Sequence, residues 1–125
     1  MATELTLRRA DAQSLGSFEQ VQELIRTHFP TVEFFWTTSG LEKIALASER
    51  GITFPPEIMA YLPGLPSLLE GVAEGDDFLV TFGLGHIEPV QCLYCTPLGD
   101  SPELDRGLKG LEAFTGTAFQ ISGEE

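Results

Sequence analysis

Cys92-Leu93-Tyr94-Cys95 is the one string in the chain that matches a named chemical motif. A CxxC redox centre needs its first thiol at a helix N-terminus, where the dipole favours the thiolate, and both sulfurs on one side. Here the flanking residues, Val90 to Thr96, read as a β-strand. Positions i and i+3 of a strand point to opposite faces, so the two thiols are expected on either side of a sheet. A structural zinc site needs four ligands. Two cysteines, His86 nearby and His28 far upstream do not supply one in a recognisable spacing. The cysteines therefore read as core residues, and no metal or cofactor is expected.

His86 and Glu88 lie two residues apart in a tight connection between strands. An imidazole and a carboxylate so placed could exchange a proton or form half a metal site, but a third group must join them and no sequence signal names one. They read as surface turn residues. His28, near the end of a helical segment, suits the negative end of the helix dipole. Glu70, Glu74, Asp76 and Asp77 cluster around Gly71 and Gly75. Calcium takes six or more oxygens from a shaped loop, and EGDDF lacks the alternating Asp/Asn pattern of an EF-hand. This cluster reads as a solvated loop able to meet a cationic partner. Gly83-Leu84-Gly85 starts like a phosphate-binding turn, yet Pro89 and a strand follow where a third glycine and a helix are required. No Walker-type lysine and no GxSxG elbow occur. The motifs lean away from an enzyme.

The elements that would position these residues follow from periodicity. Residues 3 to 8 alternate, with Leu5 and Leu7 on one side of a strand. Ser17 with Gln20 forms a capping box ahead of Phe18, Val21, Leu24, Ile25 and Phe29, one apolar helical stripe that Pro30 ends. Val32 to Thr37 reads as an aromatic strand with Phe35 opposite Val32, Phe34 and Trp36. Leu41 to Arg50 fits a helix capped by Ser39, with a β-hairpin strand as the competitor. Residues 52 to 75 are punctuated by Pro55, Pro56, Pro63 and Pro66 and by Gly64, Gly71 and Gly75, so only short helical turns such as Pro56 to Leu62 are expected there. Phe78 to Leu84 and Val90 to Thr96 read as an antiparallel pair. Ser101 and Pro102 open a helix bearing Leu104, Leu108, Leu111 and Phe114, and Ala118 to Ser122 closes the series as a short strand.

The assembly is α+β, one domain spanning residues 1–125, with an antiparallel or mixed sheet of about four to five strands and two main amphipathic helices packed on it. Its 125 residues suffice for one core, and 42% hydrophobic residues exclude a disordered acidic tail. No apolar run approaches the roughly 20 residues that span a bilayer, and the first residues lack a secretory signal pattern. A soluble, cytoplasmic protein is expected. Seven Lys and Arg face 19 Asp and Glu, a net charge of −12. Nucleic acid and anionic lipid are therefore unsuitable partners, since both need clustered cations.

The stretch between Arg50 and Arg106 contains no Lys or Arg. That asymmetry, with Phe35, Leu79 and Leu93 on the second sheet face, points to a non-catalytic interaction domain of regulatory, inhibitory or accessory kind. Its expected partner is a protein, met either through the acidic segment with Glu70, Glu74, Asp76 and Asp77, which would suit a basic one, or through the face of Phe35, Leu79 and Leu93. A homodimer through the same face competes with it. The alternative from another class is a small-molecule-binding protein or enzyme, with a pocket under residues 52–75 involving Trp36, Tyr61, His86 and Tyr94.

Overall fold

Serines open the three longer helices. Ser17 accepts the Gln20 N–H at 3.2 Å while the Gln20 side chain accepts the Ser17 N–H at 2.9 Å, a complete capping box ahead of α1 (Phe18–His28). The Ser39 hydroxyl accepts the Glu42 N–H and donates to the Glu42 carboxylate at 3.0 Å, opening α2 (Gly40–Glu49). The segment after the aromatic strand is thus a helix and not a returning hairpin. A short α3 (Pro56–Met59) and a 3-10 turn (Leu62–Gly64) follow. Ser101 caps α4 (Pro102–Thr115), whose first position is a proline that has no N–H to leave unpaired. Gly116 ends α4 in the left-handed conformation, at φ 77°, and donates to the Glu112 carbonyl at 2.9 Å.

The computed structural model describes residues 3–121. Its strands are β1 (Leu5–Leu7), β2 (Glu33–Trp36), β3 (Leu69–Glu74), β4 (Phe78–Gly85), β5 (Leu93–Gly99) and β6 (Gln120–Ile121). Every pairing is antiparallel, in the order β2-β3-β4-β5-β1-β6. The class is α+β as expected, with six strands where four to five were anticipated. Of the closing strand expected at Ala118 to Ser122, Ser122 lies outside the described residues.

Period two decides which side chains go inside. Phe78, Val80, Phe82 and Leu84 of β4 are buried, with Leu69 and Ala73 of β3, Leu93 and Cys95 of β5 and Leu7 of β1. Helices α1 and α4 cover this face with Val21, Ile25, Leu104 and Leu111. Phe29, directly after α1, packs its ring against Phe82 and Phe78, and lies against Gly107 of α4 where any side chain would collide with it.

Two expectations need correction. Residues 52–75 are not irregular to their end, because Leu69–Glu74 is a strand next to the edge strand β2, paired on both sides. Its inward positions after Leu69 are Gly71 and Ala73, small enough for the Phe34 ring to lie over Gly71, so its alternation is weak in sequence. The strand expected at Val90 to Thr96 begins and ends later, at Leu93–Gly99. Pro97 is tolerated there because β1 pairs only with Leu93, Tyr94 and Cys95, which leaves β5 an open edge beside the proline.

Residues 37–68 form an insert between the adjacent strands β2 and β3. Its base is closed by the Thr37 N–H to the Leu68 carbonyl, the Leu68 N–H to the Thr37 hydroxyl, and the Ser67 hydroxyl to the Thr37 carbonyl. Inside it, α2 and α3 pack chiefly on the 3-10 turn. No residue of the insert belongs to the main hydrophobic cluster.

Candidate functional site

The side of the sheet away from α1 and α4 presents three cross-strand rows. Strand register aligns Phe35, Glu70, Gly83, Tyr94, Thr6 and Gln120 in the first, Glu33, Val72, Thr81 and Thr96 in the second, and Glu74, Leu79 and Leu98 in the third. All three glutamates found in strands among the described residues, Glu33, Glu70 and Glu74, share this side. No strand contains Lys or Arg. Phe35 is 44% exposed, Tyr94 40% and Leu98 44%.

A groove of about 840 Å³ runs along this face, with Phe35, Glu70, Val72, Thr81, Thr96 and Tyr94 among its lining. Its depth comes from missing side chains: Gly83 and Gly85 lie in its floor, and a Cβ on Gly83 would have only the Tyr94 side chain within 4 Å. Residues 86–92 contribute His86, Ile87, Pro89, Gln91 and Cys92 to the lining. Strand β4 is bulged on the way into this segment, since Leu69 pairs with Gly85 and Glu70 with Gly83, leaving Leu84 as the extra residue. Such bulges bend a strand and re-aim the residues after it.

The 86–92 segment is tied to the start of α1. The Glu88 carboxylate accepts the Phe18 N–H at 2.7 Å, an acid placed at the positive end of the helix dipole. Backbone bonds of 2.7 Å link Leu15 N–H to the Val90 carbonyl and Val90 N–H to the Gly16 carbonyl. The Glu88 carboxylate is thus engaged in positioning a groove wall, while His86 lines the groove. No cluster of three or more His, Cys, Asp or Glu residues suited to a metal occurs among the described residues.

The structure brings together some of the residues singled out in sequence and separates others. His86 and Tyr94 line the groove with Phe35 and Glu70. Trp36 is on the helix-covered side, edge-on to Phe18 at 5.4 Å between ring centroids, and exposed Tyr61 sits in the insert. Neither lines the groove, to which residues 52–75 contribute Leu68 to Val72 at their end. Leu93 is 1% exposed and faces the core, so it does not share the sheet face of Phe35 and Leu79 as expected, and Tyr94 stands on that face instead. Glu74 stands at the far end of the same face, and Asp76 and Asp77 occupy the β3–β4 turn, where the Gly75 N–H donates to the Phe78 carbonyl. Sequence reading missed Val72, Thr81 and Leu98. Their signal is the period of two in β3, β4 and β5, usable only once β3 is recognised.

The two cysteines part company. Cys95 is buried on the core side, and burial pushes its thiol up to about 12 because the thiolate loses its hydration. Cys92 precedes β5 and lines the groove. At pH 8 iodoacetamide is expected to modify the native protein once, at Cys92, with Cys95 reacting only after denaturation. Rapid double modification of native protein, read by intact mass, would contradict the burial of Cys95.

Compared with protein-family models, curated proteins and solved structures, the chain matches none of them. Among the described residues, no helix is long and apolar enough to cross a membrane.

Proposed function

We propose that this protein is a non-catalytic interaction domain whose uncovered sheet face binds a basic protein partner. The observation that carries this reading is the asymmetry of the sheet. One side is filled by α1 and α4, while the other presents Phe35, Val72, Leu79, Tyr94 and Leu98 among Glu33, Glu70 and Glu74 with no strand cation. Contiguous apolar surface of this kind marks interaction sites, and its carboxylates favour a cationic partner while repelling an anionic one. A cytoplasmic, regulatory, inhibitory or accessory role fits such a domain.

A photo-cross-linking residue at Thr81, in the middle of the face, is expected to capture a basic protein whose binding weakens steeply with salt. The same residue at Lys109, on α4, is the control. Joint replacement Glu33→Lys, Glu70→Lys and Glu74→Lys is expected to weaken binding of that partner by about 100-fold and to leave the circular dichroism spectrum unchanged. Identical products from positions 81 and 109, or affinity indifferent to the triple replacement, would refute the reading.

The groove itself favours a second reading, a small-molecule-binding protein or enzyme, since about 840 Å³ is ample for a compact ligand. Its mark would be extra mass in the native mass spectrum that is lost on denaturation, together with loss of that mass when Gly83 is enlarged.

A further inference from the structure

We infer that the notch above Gly83 is the seat of an arginine side chain from the partner. This rests on the sheet-face reading and gives it a chemical anchor. In the first cross-strand row a side chain is missing at Gly83, with Glu70 on one flank and Tyr94 on the other, and Phe35 stands next beyond Glu70. Adjacent strands lie about 4.8 Å apart, so Glu70 and Tyr94 are about 10 Å apart at their backbones, with only hydrogen atoms between them. That gap fits one flat, elongated group.

Its chemistry is set by the flanks. The Glu70 carboxylate is half-buried and, among the described residues, has no hydrogen-bond or ion-pair partner from its side chain. The nearest atoms to a Cβ on Gly83 are Tyr94 Cβ at 3.4 Å and Cδ2 at 4.0 Å, so the Tyr94 ring borders the notch. Glu4 also lines the groove, and no Lys or Arg does. A guanidinium satisfies both flanks at once: its planar fork matches a carboxylate and its face stacks on an aromatic ring. The aliphatic stem of the same side chain would cover Val72 and Thr81 in the floor. An ammonium offers no flat face, which makes lysine the poorer occupant.

The test uses the full chain labelled with nitrogen-15 and two probes. N-acetyl-argininamide is titrated against its neutral isostere N-acetyl-citrullinamide, and an alternating arginine–threonine hexapeptide is titrated separately. The arginine amide is expected to shift the Glu70, Gly83 and Tyr94 amides saturably, and the citrulline amide to leave them in place. Glu70→Gln is expected to weaken the arginine amide about fivefold. Gly83→Val, whose added carbon meets Tyr94 at an ordinary contact distance and whose folding the same spectra verify, is expected to abolish these shifts. Shifts reproduced by citrulline, centred on Asp76 and Asp77, or surviving Gly83→Val would overturn the notch assignment. If the hexapeptide then still maps to Val72, Thr81 and Leu98, the sheet-face reading stands without it. If neither probe moves any residue of that face, both fall.

Discussion

Phe82→Ala is expected to remove about 4 kcal/mol of folding stability and to lower the thermal midpoint by roughly 10–20 °C. Phe82 is the largest of the fully buried side chains, on the central strand β4, with its ring 5.3 Å from that of Phe29. Phe29 in turn fills the space over Gly107, so one ring links the sheet to the packing of α1 against α4. Truncation leaves a void that neither helix can close without moving Phe29, and close-packed interiors relax only in part. A domain of this size has about 5–15 kcal/mol in total, so the loss is a large share of it. Guanidinium titration measures the effect, with an unchanged slope showing that the denatured state is the same. Leu79→Ala, on the uncovered face of the same strand, supplies the contrast and should cost under about 1.5 kcal/mol. Equal losses at the two positions would mean that the second face is buried, and the interface reading would lose its basis.

What could be read from sequence divides along physical lines. Helix starts were legible because a cap is a local device: Ser17 with Gln20, Ser39 with Glu42 and Ser101 before Pro102 each satisfy backbone donors within one turn. The separation of Cys92 from Cys95 was legible because it needs only an extended backbone. The class of fold is set by the succession of elements. Strand phase was not legible for β5, where Cys92, Leu93, Tyr94 and Cys95 put apolar groups on both sides, so nothing local says that Leu93 turns inward and Tyr94 outward. Nor was β3, whose inward Gly71 and Ala73 carry little hydrophobic signal and make sense only against the Phe34 ring and the neighbouring strands. The groove depends on both. It is a product of register between strands distant in sequence, which composition does not carry.

The placement of charge strengthens the sheet-face reading. Arg9 binds Asp11 through two contacts, which hold that carboxyl below the usual range, and lies over the Phe114 ring. Arg26 pairs with Glu23 and lies over Phe34, which faces the helix side. These cations are engaged by their own neighbours, whereas the strand carboxylates project together on the opposite side with no strand cation among them. An approaching basic surface therefore meets a face whose charge is not already neutralised, and the attraction is screened by salt beyond about 10 Å at 0.1 M.

Gly40→Ala is expected to loosen the insert of residues 37–68 by about 3 kcal/mol while leaving the sheet intact. Alanine is the better helix former by up to about 1 kcal/mol, so a purely local view predicts stabilisation. The geometry reverses that. Gly40 is buried at the start of α2, its N–H donates to the Leu65 carbonyl at 2.9 Å, and an added Cβ would overlap the Leu62 carbonyl oxygen. Backbone cannot swing aside as a side-chain tip can, so α2 must lift from the 3-10 turn, exposing Leu62 and Ala47, the buried apolar residues of the insert. The damage should stop there, because the insert shares no residue with the main cluster and its base is closed by its own hydrogen bonds to Thr37. Hydrogen exchange reads both halves of the claim. Amides of α2 such as Ala47 and Ser48 are expected to exchange about 100-fold faster, and those of Val80 and Phe82 at their original rates. Equal acceleration in β4 would show the insert and the sheet to be one cooperative unit. The groove, lined by sheet residues and the 86–92 segment, could then no longer be treated as independent of the insert's packing.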